Sequence, residues 1–193
     1  MRRDMRKTID VLVGVVLVTL VVLGFARPAA AYPPGTALTI TASKTHVTSS
    51  ETVIFTANHA KPYTSVKFTY GKSSKSVTAD ASGVAVVALK TSGTGAWLAK
   101  AVNLSETATT TVWAPKISLN KSSSKPGTSN SVKVQYTQVG SVITVIVGGS
   151  TYTSTGAGSG TVNVAITTPA KGKYNVLVYV GAQLMATLKL DAK

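Results

Sequence analysis

Two stretches of the chain repeat one another's pattern of apolar residues, and this duplication narrows the accessible folds more than any other feature. Leu38, Ile40, Val53, Phe55, Val66 and Phe68 are followed 79 positions later by Ile117, Leu119, Val132, Val134, Val145 and Val147. Val84 and Val86 match Val162 and Val164 at an offset of 78, and Gly95, Trp97, Ala99 and Ala101 match Gly172, Tyr174, Val176 and Val178 at 77. The slips in offset fall in Gly/Ser-rich loops, where a duplicated unit tolerates length changes. Two units follow from this reading, residues 36–114 and 115–193.

Inside each unit the apolar period is 2, the signature of strands with one buried face. In Ser65-Val66-Lys67-Phe68-Thr69-Tyr70 the apolar side chains point one way and Ser, Lys and Thr the other; Val132-Lys133-Val134-Gln135-Tyr136 repeats the scheme. Helix is disfavoured, because the region is rich in Thr, Val and Ser and carries no sustained i, i+3, i+4 apolar pattern. Strands are expected at 37–42, 52–58, 64–70, 75–79, 83–90, 96–102 and 107–113, and again at 116–120, 131–137, 141–147, 150–154, 161–167, 173–180 and 184–190. Seven short strands per unit, with turn signals between them, predict an all-β chain of two small two-sheet sandwiches. The junction Trp113-Ala114-Pro115-Lys116 is short, and Pro115 stiffens it, so limited motion between the units is expected.

The pattern resembles the bacterial immunoglobulin-like repeat domains of secreted and surface proteins. Leu38-Thr39-Ile40-Thr41-Ala42-Ser43, Thr52-Val53-Ile54-Phe55-Thr56 and Val66-Lys67-Phe68-Thr69-Tyr70-Gly71 carry the resemblance. Thr78-Ala79-Asp80-Ala81-Ser82-Gly83-Val84-Ala85 and the Gly-x-aromatic entries Gly95-Ala96-Trp97 and Gly172-Lys173-Tyr174 complete it. The resemblance implies two tandem immunoglobulin-like sandwiches, and spacer, adhesive or carbohydrate-associated roles without catalysis.

Ahead of the repeats, Arg2, Arg3, Arg6 and Lys7 precede a largely apolar, uncharged run of 15 residues from Val11 to Phe25. That is short of the roughly 20 residues of a membrane-spanning helix, and Ala29-Ala30-Ala31 supplies the small residues of a signal-peptidase site. Residues 1–31 are expected to be a secretory signal cleaved before Tyr32, leaving no transmembrane span; retention of the run as an anchor is the alternative. No sorting or lipid motif is read at the C-terminal end. Cysteine is absent, which excludes disulfide scaffolds and thiol chemistry.

Beyond residue 31 all 15 cations are lysines, set against Glu51, Asp80, Glu106 and Asp191, a formal net charge of +11. Lysine is a hydrated point charge without arginine's planar fork, so a sequence-specific nucleic-acid partner is not expected. Lys67, Lys72, Lys75 and Lys133 are the candidate polyanion-binding residues, for an anionic wall polymer or envelope surface. The competing structural role is protection of strand edges from aggregation.

Alternation assigns Tyr70, Trp97, Tyr136 and Tyr174 to the cores and leaves Tyr63, Tyr152 and Tyr179 as candidates for stacking against sugars. His46, Glu51 and His59 match no compact zinc spacing, and Asp80 is a lone carboxylate in a turn, better suited to an Asx bond than to calcium. The scattered acids offer no catalytic constellation, so no catalytic, cofactor or metal residue is assigned. The expected function is that of a secreted, non-enzymatic binding or structural protein, associated with the cell envelope through lysine-rich surfaces. An accessory carbohydrate-binding module, or a basic protein acting on anionic membranes, are the alternatives.

Overall fold

The computed structural model of the protein describes residues 36–193, and the expected signal segment lies outside them. The described residues form an all-β structure of two tandem immunoglobulin-like sandwiches. In the first, β1 (Thr39–Ala42), β2 (Thr52–Asn58) and β5 (Ala85–Lys90) make one sheet. The facing sheet runs in the order β4 (Ser73–Thr78), β3 (Ser65–Tyr70), β6 (Gly95–Asn103), β7 (Glu106–Ala114). In the second sandwich β8 (Lys116–Leu119), β10 (Ser129–Thr137) and β13 (Gly158–Thr167) form the smaller sheet. The larger is ordered β12 (Ser150–Thr155), β11 (Val142–Val147), β14 (Gly172–Val180), β15 (Gln183–Ala192), β9 (Ser123–Ser124).

Period-2 patterning positions each core. Val53, Phe55 and Ala57 on β2 and Val66, Phe68 and Tyr70 on β3 are buried and meet across the first sandwich. Val132, Val134, Ile143, Val145, Val147, Val176 and Val178 form a separate cluster in the second. Phe55 and Tyr70 tilt against one another at 4.9 Å between ring centroids, an aromatic contact that the all-aliphatic second core lacks among its buried side chains.

The pairings replace the sliding offset with a uniform one. Thr52 faces Lys90 as Ser129 faces Thr167, Ser65 faces Thr78 as Val142 faces Thr155, and Ile40 faces Ala57 as Ile117 faces Val134, every residue displaced by 77. Backbone conformation follows the same spacing: His59 and Tyr136 (φ 62° and 59°), Gly71 and Gly148 (56° and 57°) and Leu104 and Gly181 (54° and 59°) are left-handed in register. Val66 thus corresponds to Ile143, not to Val145. A two-residue slip leaves the inward and outward faces unchanged, so hydrophobic alternation cannot detect it. One residue is added late in the repeat, at a bulge where Val178 faces Ala186 and Tyr179 faces Leu184.

Two further features were not legible in the alternation. After β1 the chain crosses to the other sheet, where His46 pairs in parallel with Trp113; its counterpart is β9, which pairs in parallel with Asp191 and Ala192 of β15. Tyr136, expected in the core, is only half-buried, because its left-handed backbone bulges β10 and hands the inward position to Thr137, which is fully buried. Trp97 and Tyr174 are also half-buried; their rings lie 3.4 Å from where a Cβ on Gly95 or Gly172 would sit. The Gly-x-aromatic entry therefore lets a ring fold back over its own strand.

Candidate binding surfaces

The two sandwiches leave four outward sheet faces, and cross-strand register decides which lysines share one. On β4–β3–β6–β7, Lys67 faces Val102 and Thr69 faces Lys100, so Lys67 and Lys100 are diagonal neighbours on the outward face, about 5–8 Å apart at Cβ. On β8–β10–β13, which matches the β1–β2–β5 sheet of the first sandwich, Lys116 faces Gln135 and Ser118 faces Lys133, so Lys116 and Lys133 form a second diagonal pair. Neither Lys100 nor Lys116 was singled out from the sequence; strand register was the missing information. Lys72 sits in the β3–β4 turn, away from both pairs. Lys75 lies opposite the buried Phe68, so it projects on the inner side of edge strand β4, at the rim of the core. An inward-pointing lysine there blocks pairing with a further strand. The four lysines named from sequence are thus spread over two sandwiches and do not converge.

The carboxylates are largely engaged elsewhere. Glu51 pairs with Lys44 and accepts the Thr48 N–H, and the Lys44 contact first, the Thr48 bond second, hold its carboxyl below the usual range. Asp80 accepts from the Ser82 and Val84 N–H groups at 2.9 and 3.0 Å, closing its own turn. Glu106 accepts the Leu38 N–H at 2.9 Å, and Asp191 pairs with Lys193 at 3.3 Å. Among the described residues, Lys44–Glu51 and Asp191–Lys193 are the ion pairs, so Lys67, Lys100, Lys116 and Lys133 carry uncompensated charge.

The three candidate tyrosines are not brought together. Tyr63 is 73% exposed on the β2–β3 loop of the first sandwich. Tyr152 faces Val145 on the inner side of β12, is half-buried, and its phenolic oxygen accepts the Thr167 N–H at 3.2 Å. That bond lowers the Tyr152 pKa, and the ring flanks the core where the first sandwich has Lys75. It is therefore a packing residue and offers no open platform. Tyr179 faces Thr144 and Leu184 on the outward side of β14, beside Leu177, Ile146 and Val142. Lys173 and Lys189 continue that same face at its far end.

His46 lies on the parallel bridge to Trp113. It is half-buried, and its Nε2 accepts the Gln138 N–H of the second sandwich at 3.2 Å, beside a cavity of about 440 Å³ lined by Ala42, Thr45, Thr111, Trp113 and Gln138. Burial lowers its pKa. Among the described residues no three His, Asp or Glu side chains are grouped to hold a metal ion.

No protein family matches this chain, and no curated protein does. Solved structures do resemble it in shape. A C-terminal intimin fragment, solved with the intimin-binding domain of the translocated intimin receptor, is 18% identical with a TM-score of 0.45; the match covers 81% of this chain and 64% of that one. Invasin, a bacterial integrin-binding protein, is 13% identical with a TM-score of 0.38 over 81% of this chain, which spans 39% of the invasin chain. The Escherichia coli adhesin FdeC is 17% identical with a TM-score of 0.37, covering 81% and 64%.

Proposed function

We propose that the protein is a secreted, non-enzymatic binding module that attaches to anionic polymers of the cell envelope through its outward sheet faces. The domain organisation proposed with it is a signal segment at 1–31, sandwich one at 36–114 and sandwich two at 115–193. The observation that carries the reading is the pairing of Lys67 with Lys100, and of Lys116 with Lys133, on outward sheet faces, while Glu51, Asp80, Glu106 and Asp191 are engaged by other groups. Adjacent like charges destabilise a sheet slightly, and they attract a polyanion that releases its counterions on binding. Edge protection explains Lys75; it does not explain lysines on the interior strands β3, β6 and β10.

Elution from a heparin-substituted matrix tests the proposal. The protein should be retained at low salt and released well below 1 M NaCl. Lys67→Gln with Lys100→Gln, and Lys116→Gln with Lys133→Gln, should each lower the eluting salt by more than Lys72→Gln with Lys75→Gln does. Equal shifts for all three pairs would reduce the effect to net charge and refute paired faces. Extraction from host envelopes by detergent alone, with unprocessed mass, would refute the secreted form.

A further inference from the structure

We propose that the outward face of β11–β14–β15, together with the cavity at its Lys173 end, binds a chain of carboxylated sugars. The duplication supplies the strongest argument. Lys67, Lys100 and Val102 of the first sandwich occupy the positions of Thr144, Leu177 and Tyr179 in the second, by equivalent strand pairing. The fold therefore does not require apolar residues there, since the same backbone carries two lysines. Val142 and Leu184 flank Tyr179 at 54% and 45% exposure, and the half-buried Tyr179, Leu177 and Ile146 lie between them, so apolar side chains line this outward face with no inner packing partner to explain them. Such a face is costly to keep unless something covers it.

Charge and hydroxyl placement indicate the occupant. Thr144, Thr151, Thr153 and Thr187 surround the apolar strip on the same face, a set of hydroxyls suited to sugar hydroxyls. Four residues along β14 from Tyr179, about 13 Å away, Asn175 faces Lys189 while Lys173 faces Asp191. Lys189 Nζ donates to Asn175 Oδ1 at 2.6 Å, which holds that ammonium in place. A cavity of about 440 Å³ opens there, lined by Lys173, Tyr174, Asn175, Lys189 and Leu190 among others, within the roughly 300–1,000 Å³ of small-ligand sites. Asp191 also lines it, but its carboxylate is paired with Lys193. A flat ring-bearing polymer places its apolar ring faces on Tyr179 and Leu177 and its carboxylates at Lys173 and Lys189. An acidic peptide would use the lysines and leave the ring-sized apolar strip unexplained.

The proposal refines the polyanion reading, and one titration series separates the two. Full-length protein is titrated with oligogalacturonate, with its uncharged methyl ester, and with poly-glutamate, by calorimetry. Oligogalacturonate should bind at least tenfold more tightly than either of the others. Tyr179→Val, the residue tolerated at the matching position of the first sandwich, should weaken it at least tenfold, as should Lys173→Gln with Lys189→Gln. Lys67→Gln with Lys100→Gln should change it less than twofold. Poly-glutamate binding as tightly, or indifference to Tyr179→Val, overturns the sugar site. If losses follow Lys67 and Lys100 instead, the polyanion reading stands and this one falls; if no polyanion binds, both fall.

Discussion

Thr91 and Thr168 are the same residue of the repeat in two different hydrogen-bonding situations, and replacing each with valine should have opposite effects. Both are buried, at 4% and 1% exposure, and their backbones are held alike, Thr91 N–H to Glu51 O and Thr168 N–H to Thr128 O, each 2.9 Å. Thr91 Oγ1 donates to Glu51 O at 2.9 Å and meets the Tyr70 hydroxyl at 3.3 Å. In the second sandwich Val147 replaces Tyr70, and Thr168 Oγ1 has no hydrogen-bond partner. Thr91→Val removes two bonds worth about 1 kcal/mol each and strands the buried Tyr70 hydroxyl at about 1–3 kcal/mol. The added methyl returns about 0.8 kcal/mol, so a net loss of about 2–4 kcal/mol is expected. Thr168→Val loses no bond, gains the same methyl burial and removes an unpaired hydroxyl, for a net gain of about 2–4 kcal/mol. At about 4–8 °C per kcal/mol for units of this size, the two shifts are easily resolved. Both tryptophans, Trp97 and Trp113, lie in the first sandwich, so indole fluorescence reports Thr91→Val. Amide exchange in β10–β14 reports Thr168→Val. A loss above 1 kcal/mol from Thr168→Val would mean that its hydroxyl is satisfied in solution, and would refute the reasoning.

Gly156→Ala should destabilise the second sandwich by about 1–3 kcal/mol, because the added Cβ would stand 2.3 Å from the Gln138 carbonyl and 2.7 Å from Thr137 Oγ1; hydrogen exchange of β10–β13 measures it. The matching position in the first sandwich is Ala79, faced by Ala60 where the second has Thr137, so Thr137→Ala should recover part of the loss. His46 should make the protein less stable in mild acid. Its pKa is lowered by burial, so the neutral form is favoured in the folded state; its contribution is complete above the unfolded value near 6.5 and is lost as pH falls through the lowered one. Protonation also turns the Nε2 that accepts from Gln138 into a donor. Denaturation midpoints of the native protein and His46→Gln should converge at low pH, and parallel curves would remove His46 from the account.

The strands and their buried faces were readable because alternation is a local property: Val66, Phe68 and Tyr70 need only the solvent boundary to decide which way they point. The repeat was readable for the same reason, but its spacing was not, since a two-residue shift preserves every face. Tyr136 escaped alternation because a left-handed backbone at one residue reverses the parity of those after it. Tyr152 was placed on the wrong side for want of a partner, as its inward position follows from lying opposite Val145.

Composition and period were sufficient for an all-β chain carrying unopposed lysines, because each depends on residues considered singly or with their chain neighbours. Which lysines and tyrosines share a surface depends on register between strands far apart in sequence. Lys67 meets Lys100, Lys116 meets Lys133, and Tyr179 joins Ile146 and Leu184 only once β3 has paired with β6, β8 with β10, and β14 with β11 and β15. Those pairings are chosen by burial of the opposite face, so the binding surfaces are a consequence of the core and belong to the tertiary structure.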